Sequence, residues 1–242
     1  MGQRVHGANI DMTDRKEQWE KVTALNIEES VRLGPIYSEF LLSDPKCFGF
    51  VLARYKFAAK MLARKKSIIE IGCGEGVGAL MLAGETRADV VGLDFDESQI
   101  QTANQYFKQS FDRYKPTECE RLRYTCQDFT ADGGDLGQFE GLVSIDVIEH
   151  VPAGEDEHRF LTNCVDHLVE NGVAIIGTPN DYASAYASER SQIGHINLFK
   201  PDRFVETLEN YFSNVFLMSM NDEMVHTGYD KMAHYLMAVC VK

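Results

Sequence analysis

Two histidines and two carboxylates in this sequence are of types and at spacings that could do chemistry together. Asp146, Glu149 and His150 are spaced i, i+3, i+4, so a helical turn there would turn all three the same way. His195 can close the set from a facing loop. Mixed carboxylate and imidazole ligands suit Mn, Fe, Co or Zn and tolerate Mg less well. A metal held there would lower the pKa of an acceptor hydroxyl and orient it. Without a metal, His150 and His195 are the natural general bases near neutral pH, a role worth roughly 10²–10⁴-fold in rate. The plainer alternatives are also open. His150 can start a helix, His195 can make a structural bond, Asp146 can face a cofactor and Glu149 can cap a turn. His158 and His167 read as solvated helix residues, and His226 and His234 have no motif around them.

The strongest signal in the sequence is a loop. Residues 68–78 read Ile-Ile-Glu-Ile-Gly-Cys-Gly-Glu-Gly-Val-Gly. A β-branched run leads straight into glycines that permit a tight turn and a close ligand approach. The free N–H groups of the following helix then point at the ligand. The next strand ends in Asp94, about twenty residues on, where a carboxylate can accept both hydroxyls of an adenosine ribose. Gln127-Asp128-Phe129 follows the third strand, offering an acid for an adenine amino group and a ring for its face. The loop also satisfies a dinucleotide fingerprint, but Glu70 just before the first glycine and the triplet Gly72-Cys73-Gly74 fit E/D-x-G-x-G-x-G and favour S-adenosylmethionine (SAM) over a nicotinamide. The expected cofactor contacts are Glu70, Gly72, Cys73, Gly74, Asp94, Phe95, Asp128, Phe129 and Asp146. At Cys73 the backbone matters more than the sulfur.

The elements that must position these groups alternate. Strands are expected at 67–71, 90–93, 122–126, 140–145, 173–176, 214–220 and 233–241. Helices are expected at 77–85, 98–113, 156–168 and 202–210. This predicts an α/β fold, a Rossmann-like, doubly wound, seven-stranded and mainly parallel sheet, with one strand inserted antiparallel at its end. Before it, residues 11–27 and a second segment containing Phe48, Val51, Leu52, Tyr55, Ala59 and Leu62 have helical spacing. Residues 28–47 read as a loop, with turn signals at Gly34-Pro35 and Asp44-Pro45. The expected organisation is an N-terminal helical lid over 1–65 and a catalytic domain over 66–242. Tyr37, Arg54 and Tyr55 are candidate acceptor contacts. Arg54 suits a phosphate handle, while Tyr55 equally fits a core position.

The chain of 242 residues carries a net charge of −13, which disfavours phosphate backbones as partners. The basic run at 60–66 suits the end of a helix. Six scattered cysteines without a CxxC pair, no signal peptide and no long apolar run lead to the expectation of a cytoplasmic protein with reduced thiols and no membrane span. A homodimer is left open.

Residues 67–241 resemble class I SAM-dependent methyltransferases. The segment 143–151, Val-Ser-Ile-Asp-Val-Ile-Glu-His-Val, is similar to the fourth-strand motif of ubiquinone-biosynthesis-type O-methyltransferases. Thr178-Pro179-Asn180 and residues 194–199, Gly-His-Ile-Asn-Leu-Phe, resemble the same group. The N-terminal segment, with Leu33-Gly34-Pro35 and residues 52–57, is similar to sugar O-methyltransferases of bacterial surface-polysaccharide pathways. The resemblance implies that Glu70, Gly72, Gly74, Asp94, Asp128 and Phe129 line the cofactor site. It also implies a glutamate–histidine metal arrangement found in some ubiquinone and small-RNA 2′-O-methyltransferases, with Asp146 standing where a glutamate is commoner. No Asn-Pro-Pro-Tyr-type motif follows the fourth strand, so a hydroxyl is favoured over a base nitrogen or an amide. The expected acceptor is a small hydroxylated molecule, first a sugar or nucleotide sugar, alternatively a quinone-precursor phenol or an RNA end.

Overall fold

The computed structural model describes residues 12–25, 30–131, 134 and 136–242, with the backbone alone for Met12 and Thr13. Residues 1–30 and 31–242 are two compact units. The first contains one described helix, α1 (Met12–Thr23). The second begins with α2 (Pro35–Ser43) and α3 (Pro45–Met61), followed by β1 (Ser67–Ile71), α4 (Val77–Thr86) and β2 (Asp89–Asp94). Next come α5 (Glu97–Ala103), a π turn (Asn104–Lys108), α6 (Gln109–Tyr114), β3 (Leu122–Cys126) and β4 (Phe139–Ile145). The chain continues through α7 (Glu155–Asp166), β5 (Leu168–Pro179), α8 (Glu189–Gly194) and α9 (Pro201–Glu209), and closes with β6 (Asn214–Asn221), β7 (Met224–His226) and β8 (Tyr235–Val241).

The sheet runs β3-β2-β1-β4-β5-β8-β6-β7. Pairing is parallel from β3 to β5 and antiparallel from β5 through β8 and β6 to β7. The expected inserted strand is β8. The eighth strand, against seven expected, is the three-residue edge strand β7.

Burial explains the two layers. On one face, α3 buries Val51, Tyr55, Ala58 and Ala59, at i, i+4, i+7 and i+8, and Leu62 just beyond its end continues the stripe. These pack with Val77, Leu82 and Phe107. On the other face, Phe160, Phe204 and Leu208 from α7 and α9 pack on Ile69, Leu142 and Ile176. Each fully buried large side chain contributes about 1.5–3 kcal/mol relative to exposure. The helices α2 and α3 therefore share the core of the sheet, and the compact unit starts at residue 31.

The segment expected to be loop over 28–47 contains α2. Both Pro35 and Pro45 stand in the first turn of a helix, where a missing N–H costs nothing and the fixed φ helps. Positions 26–29 lie outside the described residues. Among the described residues no helix is long and apolar enough to cross a membrane.

Candidate active site

The glycine loop links β1 to α4. Gly72 and Gly76 have φ of +74° and +92°, a left-handed backbone that glycine adopts without strain. Space forbids a side chain as well. A Cβ on Gly72 would lie 2.3 Å from Val147 Cγ2, and one on Gly76 2.7 Å from Ala103 Cβ. The Tyr124 hydroxyl donates to the Gly76 carbonyl at 2.7 Å and fixes the turn.

Asp94 ends β2 beside the loop. Its Oδ2 accepts from the Gly74 N–H at 2.8 Å and its Oδ1 from the Asp96 N–H at 2.9 Å. Each oxygen keeps a second lone pair for a diol. Phe95 next to it is 76% exposed, an open aromatic face at the strand end. Phe129, expected to offer the adenine a face, is instead 4% exposed and packs edge-on against Phe160 at 5.8 Å. Of these two rings, Phe95 is the exposed one. Asp128 uses Oδ1 to accept from the Thr130 N–H and hydroxyl, which together hold its carboxyl below the usual range.

Glu70 and Cys73 lie beneath the loop, both buried. Burial pushes the Glu70 carboxyl up to about 8, with the nearby Tyr55 hydroxyl and Ala79 N–H pulling back only in part. Neither Glu70 oxygen has a hydrogen bond of good geometry. Burial likewise raises the Cys73 thiol well above its ordinary range, so it is a buried thiol, as its loop position implies.

Past β4 the chain turns sharply. Asp146 has φ of +58°, a conformation costing a non-glycine residue about 1–3 kcal/mol. Its N–H donates to the Gly177 carbonyl at 3.1 Å and to the Tyr235 hydroxyl at 3.2 Å. Its Oδ2 accepts from Arg54 Nη1 at 2.6 Å. The Arg54 guanidinium lies 3.6 Å from the centre of the Tyr235 ring, and its Nε is buried without a partner. The expected single helical turn over Asp146, Glu149 and His150 does not form. Only Ile148–His150 make a 3₁₀ turn, and the left-handed Asp146 is directed to Arg54. Asp146 therefore leaves the expected metal set.

The other three members do meet. One ligand atom from each of Glu149, His150 and His195 lies within 4.8 Å of the others. The imidazole centroids of His150 and His195 are 5.1 Å apart, edge to face. His150 Nδ1 lies 2.8 Å from the Gly194 carbonyl. A carbonyl only accepts, so Nδ1 carries the hydrogen and Nε2 the lone pair. Glu149 is wholly buried; Oε2 accepts from the Thr178 hydroxyl at 3.2 Å and Oε1 has no partner. Burial first, then the Asp146 charge, raises its carboxyl well above the usual range. A buried, underbonded carboxyl between two imidazoles lacks a positive charge, and a divalent cation fits that deficit. His195 is lowered by burial and then by His150, which favours the neutral imidazole that a ligand or base requires. Asn197 holds the two loops together. Its N–H donates to the Glu149 carbonyl at 3.0 Å and its Nδ2 to the Val151 carbonyl at 3.0 Å.

The remaining histidines have other surroundings. His158 Nδ1 contacts the Tyr211 hydroxyl at 2.7 Å on the surface. His167, expected to be solvated, is buried against the Phe129 ring. Sequence reasoning missed Glu75, whose Oε1 and Oε2 accept from the Ile36 and Tyr37 N–H groups at 2.8 and 3.1 Å. It also missed the Tyr235 ring under Arg54. Both contacts join segments far apart in the chain.

This is the fold of SAM-dependent methyltransferases. It is shared with the methyltransferase domain of bacterial CtHen1-C (TM-score 0.65, 19% identity, covering 79% of this chain and 98% of that one). A TehB-like SAM-dependent methyltransferase from Corynebacterium glutamicum shares it as well (TM-score 0.58, 20% identity, covering 86% and 100%). A family model described as a methyltransferase domain matches residues 46–215, and the chain belongs to that family. SAM is accordingly its cofactor. Among named relatives, the ubiquinone biosynthesis O-methyltransferase of Rickettsia felis is 28% identical over 155 residues, 64% of this chain and 54% of that protein. The enzyme of that name from Psychrobacter arcticus is 26% identical over 193 residues, 75% of this chain and 69% of that protein. The chain thus spans about half the length of the first of these relatives.

Proposed function

We propose that the protein moves the methyl group of SAM to a hydroxyl of a small acceptor, and that the acceptor is a phenol of the quinone-precursor type. The observation that carries this reading is the meeting of His150, His195 and Glu149 at the carboxyl ends of β4 and β5, where open α/β sheets place their chemistry. Similarity to the ubiquinone biosynthesis O-methyltransferases favours the phenol over the expected sugar, which rests on the N-terminal resemblance alone. A net charge of −13 weighs against an RNA end.

In this reading Asp94 grips the ribose diol and Phe95 covers the adenine, with Asp128 Oδ2 toward its amino group. Gly72–Gly74 give the methionine portion a bare peptide surface. Arg54, already paired to Asp146, offers its remaining N–H groups to a carboxylate, and α2 with α3 roofs the crevice. The acceptor hydroxyl loses its proton to a neutral imidazole of the His150–His195 pair. An oxygen lone pair then forms the new O–CH₃ bond as the C–S bond breaks, its electron pair going to sulfur. The leaving thioether is neutral, so holding the nucleophile in line supplies much of the rate. In a metal-loaded site, Glu149, His150 and His195 would commit those lone pairs to a divalent cation, which would supply Lewis acidity toward the acceptor hydroxyl in place of the imidazole base, the proton passing to solvent.

The deciding experiment is methyl transfer from labelled SAM to a panel of catechols, phenols and nucleotide sugars. Turnover of catechols with product methylated at oxygen is expected. Turnover confined to nucleotide sugars would replace the phenol.

A further inference from the structure

We infer that Glu70 is a charge-sensing residue of the cofactor site, holding a proton in the free enzyme and in the product complex and releasing it when SAM binds. Its surroundings carry the argument. Glu70 precedes the glycine loop by two residues, its side chain is wholly buried, and both oxygens are underbonded. The packing around it is tight. A Cβ on Gly78 of α4 would lie 2.1 Å from Oε1 and 2.2 Å from the Tyr55 ring.

The titratable groups near it come from every adjoining element. They are Tyr55 of α3, Tyr37 of α2, Cys73 of the loop, Asp94 of β2 and Tyr124 of β3. Beyond them lie Glu75, which accepts the α2 N–H groups, and Asp146, which is paired with Arg54. Tyr37, Tyr55, Cys73 and Tyr124 are all raised by burial and stay neutral. The one cation in this set, Arg54, is committed to Asp146 at 2.6 Å. Among the described residues Glu70 therefore has no balancing positive charge, and Asp94 opposes its ionisation. Bound over the loop, SAM brings a fixed sulfonium charge. The demethylated product S-adenosylhomocysteine (SAH) has the same shape and the same ammonium but a neutral thioether. Ionised Glu70 thus favours the substrate form of the cofactor, and protonated Glu70 favours the product form.

The sign follows from linkage. If SAM selects the ionised carboxyl, its affinity falls as pH drops below the folded value of about 8, and it levels off above that value. A single coupled proton of this kind changes affinity by about tenfold between pH 7 and pH 9.

The inference rests on SAM occupying the Gly72–Gly76 loop, and calorimetry separates the two claims. SAM and SAH are titrated into the protein at pH 7 in two buffers of different ionisation enthalpy, and the proton count is read for each ligand. The expected result is release of close to one proton with SAM and markedly less with SAH. The SAM-to-SAH affinity ratio should rise about tenfold from pH 7 to pH 9. In Glu70→Gln this rise should be lost relative to the wild type, which cancels any contribution of the ligands' own amino groups. Equal proton counts for both ligands in the wild type would overturn the charge-sensing role while leaving the cofactor site intact. A ratio with the same pH dependence in Glu70→Gln as in the wild type would overturn it too. Absence of binding by either ligand would overturn the site itself. The wild-type comparison stands even if the variant does not fold.

Discussion

The carbonyl of Gly194 accepts from His150 Nδ1 at 2.8 Å, and Gly194 is the last residue of α8, directly before His195. One backbone group therefore fixes the tautomer of one histidine and the position of the other. A Cβ on Gly194 would lie 3.1 Å from His150 Cε1, so the contact is close as well as directional.

Replacing either histidine tests the pair. His150→Ala and His195→Ala should each lower kcat by roughly 10²–10⁴-fold and leave SAM affinity unchanged. The double variant should fall short of the product of the two losses, because the residues act as a unit. Single-turnover kinetics with saturating SAM reads this. Full turnover in both single variants would remove the pair from the chemistry.

The pH dependence has a defined sign. The base must be unprotonated, and burial together with the His150 charge lowers His195 from the ordinary histidine value. The acid limb of kcat should lie below the range of an exposed histidine. In His150→Asn, where that opposing charge is gone, the His195 ring signals in NMR should titrate at higher pH than in wild type. An unchanged or lower midpoint would contradict the coupling.

Elemental analysis of the purified protein decides the cation. Exhaustive chelation should abolish activity, and a divalent transition metal should restore it. Glu149→Gln should lose bound metal while the fold persists, since the replacement is isosteric. Thr178→Val should weaken metal retention less, because Thr178 only orients Oε2. Full activity after chelation, with no metal detected, would leave the histidines as bases alone.

Glu75 ties the N-terminal helices to the cofactor loop. Glu75→Ala would leave the Ile36 and Tyr37 N–H groups without their acceptor. A loss of about 1–3 kcal/mol per unsatisfied buried group is the general magnitude. Gly34→Ala should destabilise as well, since its Cβ would fall 2.2 Å from Glu75 Cδ. Chemical denaturation measures both; unchanged midpoints would mean that the contact adds nothing to stability.

Local signals made the fold and the cofactor loop readable. A β-branched run ending in glycines, followed by a strand ending in Asp94, is a short-range pattern. The strand–helix alternation through α9 is equally local. What escaped was set by long-range packing or by a single dihedral. Pro35 and Pro45 read as turns because proline marks turns and helix starts alike, and nothing nearby shows that Glu75, 39 residues from Ile36, receives the helix. The i, i+3, i+4 spacing at Asp146 holds only with helical dihedrals, and φ of +58° breaks it. The partner that takes Asp146 lies 92 residues away. Phe95 and Phe129 are equivalent as sequence; burial alone separates the ring that faces solvent from the one inside the core.

The account stands or falls on the adenosyl site. Asp94 is its anchor, with one oxygen on the Gly74 N–H and the other on the Asp96 N–H. The most direct measurement is calorimetric titration of ligand-free protein with SAH and with NADH, repeated on Asp94→Asn. The account predicts one-site heat with SAH, none with NADH, and SAH affinity about 10–100-fold weaker in the variant. Heat with NADH and none with SAH would contradict it.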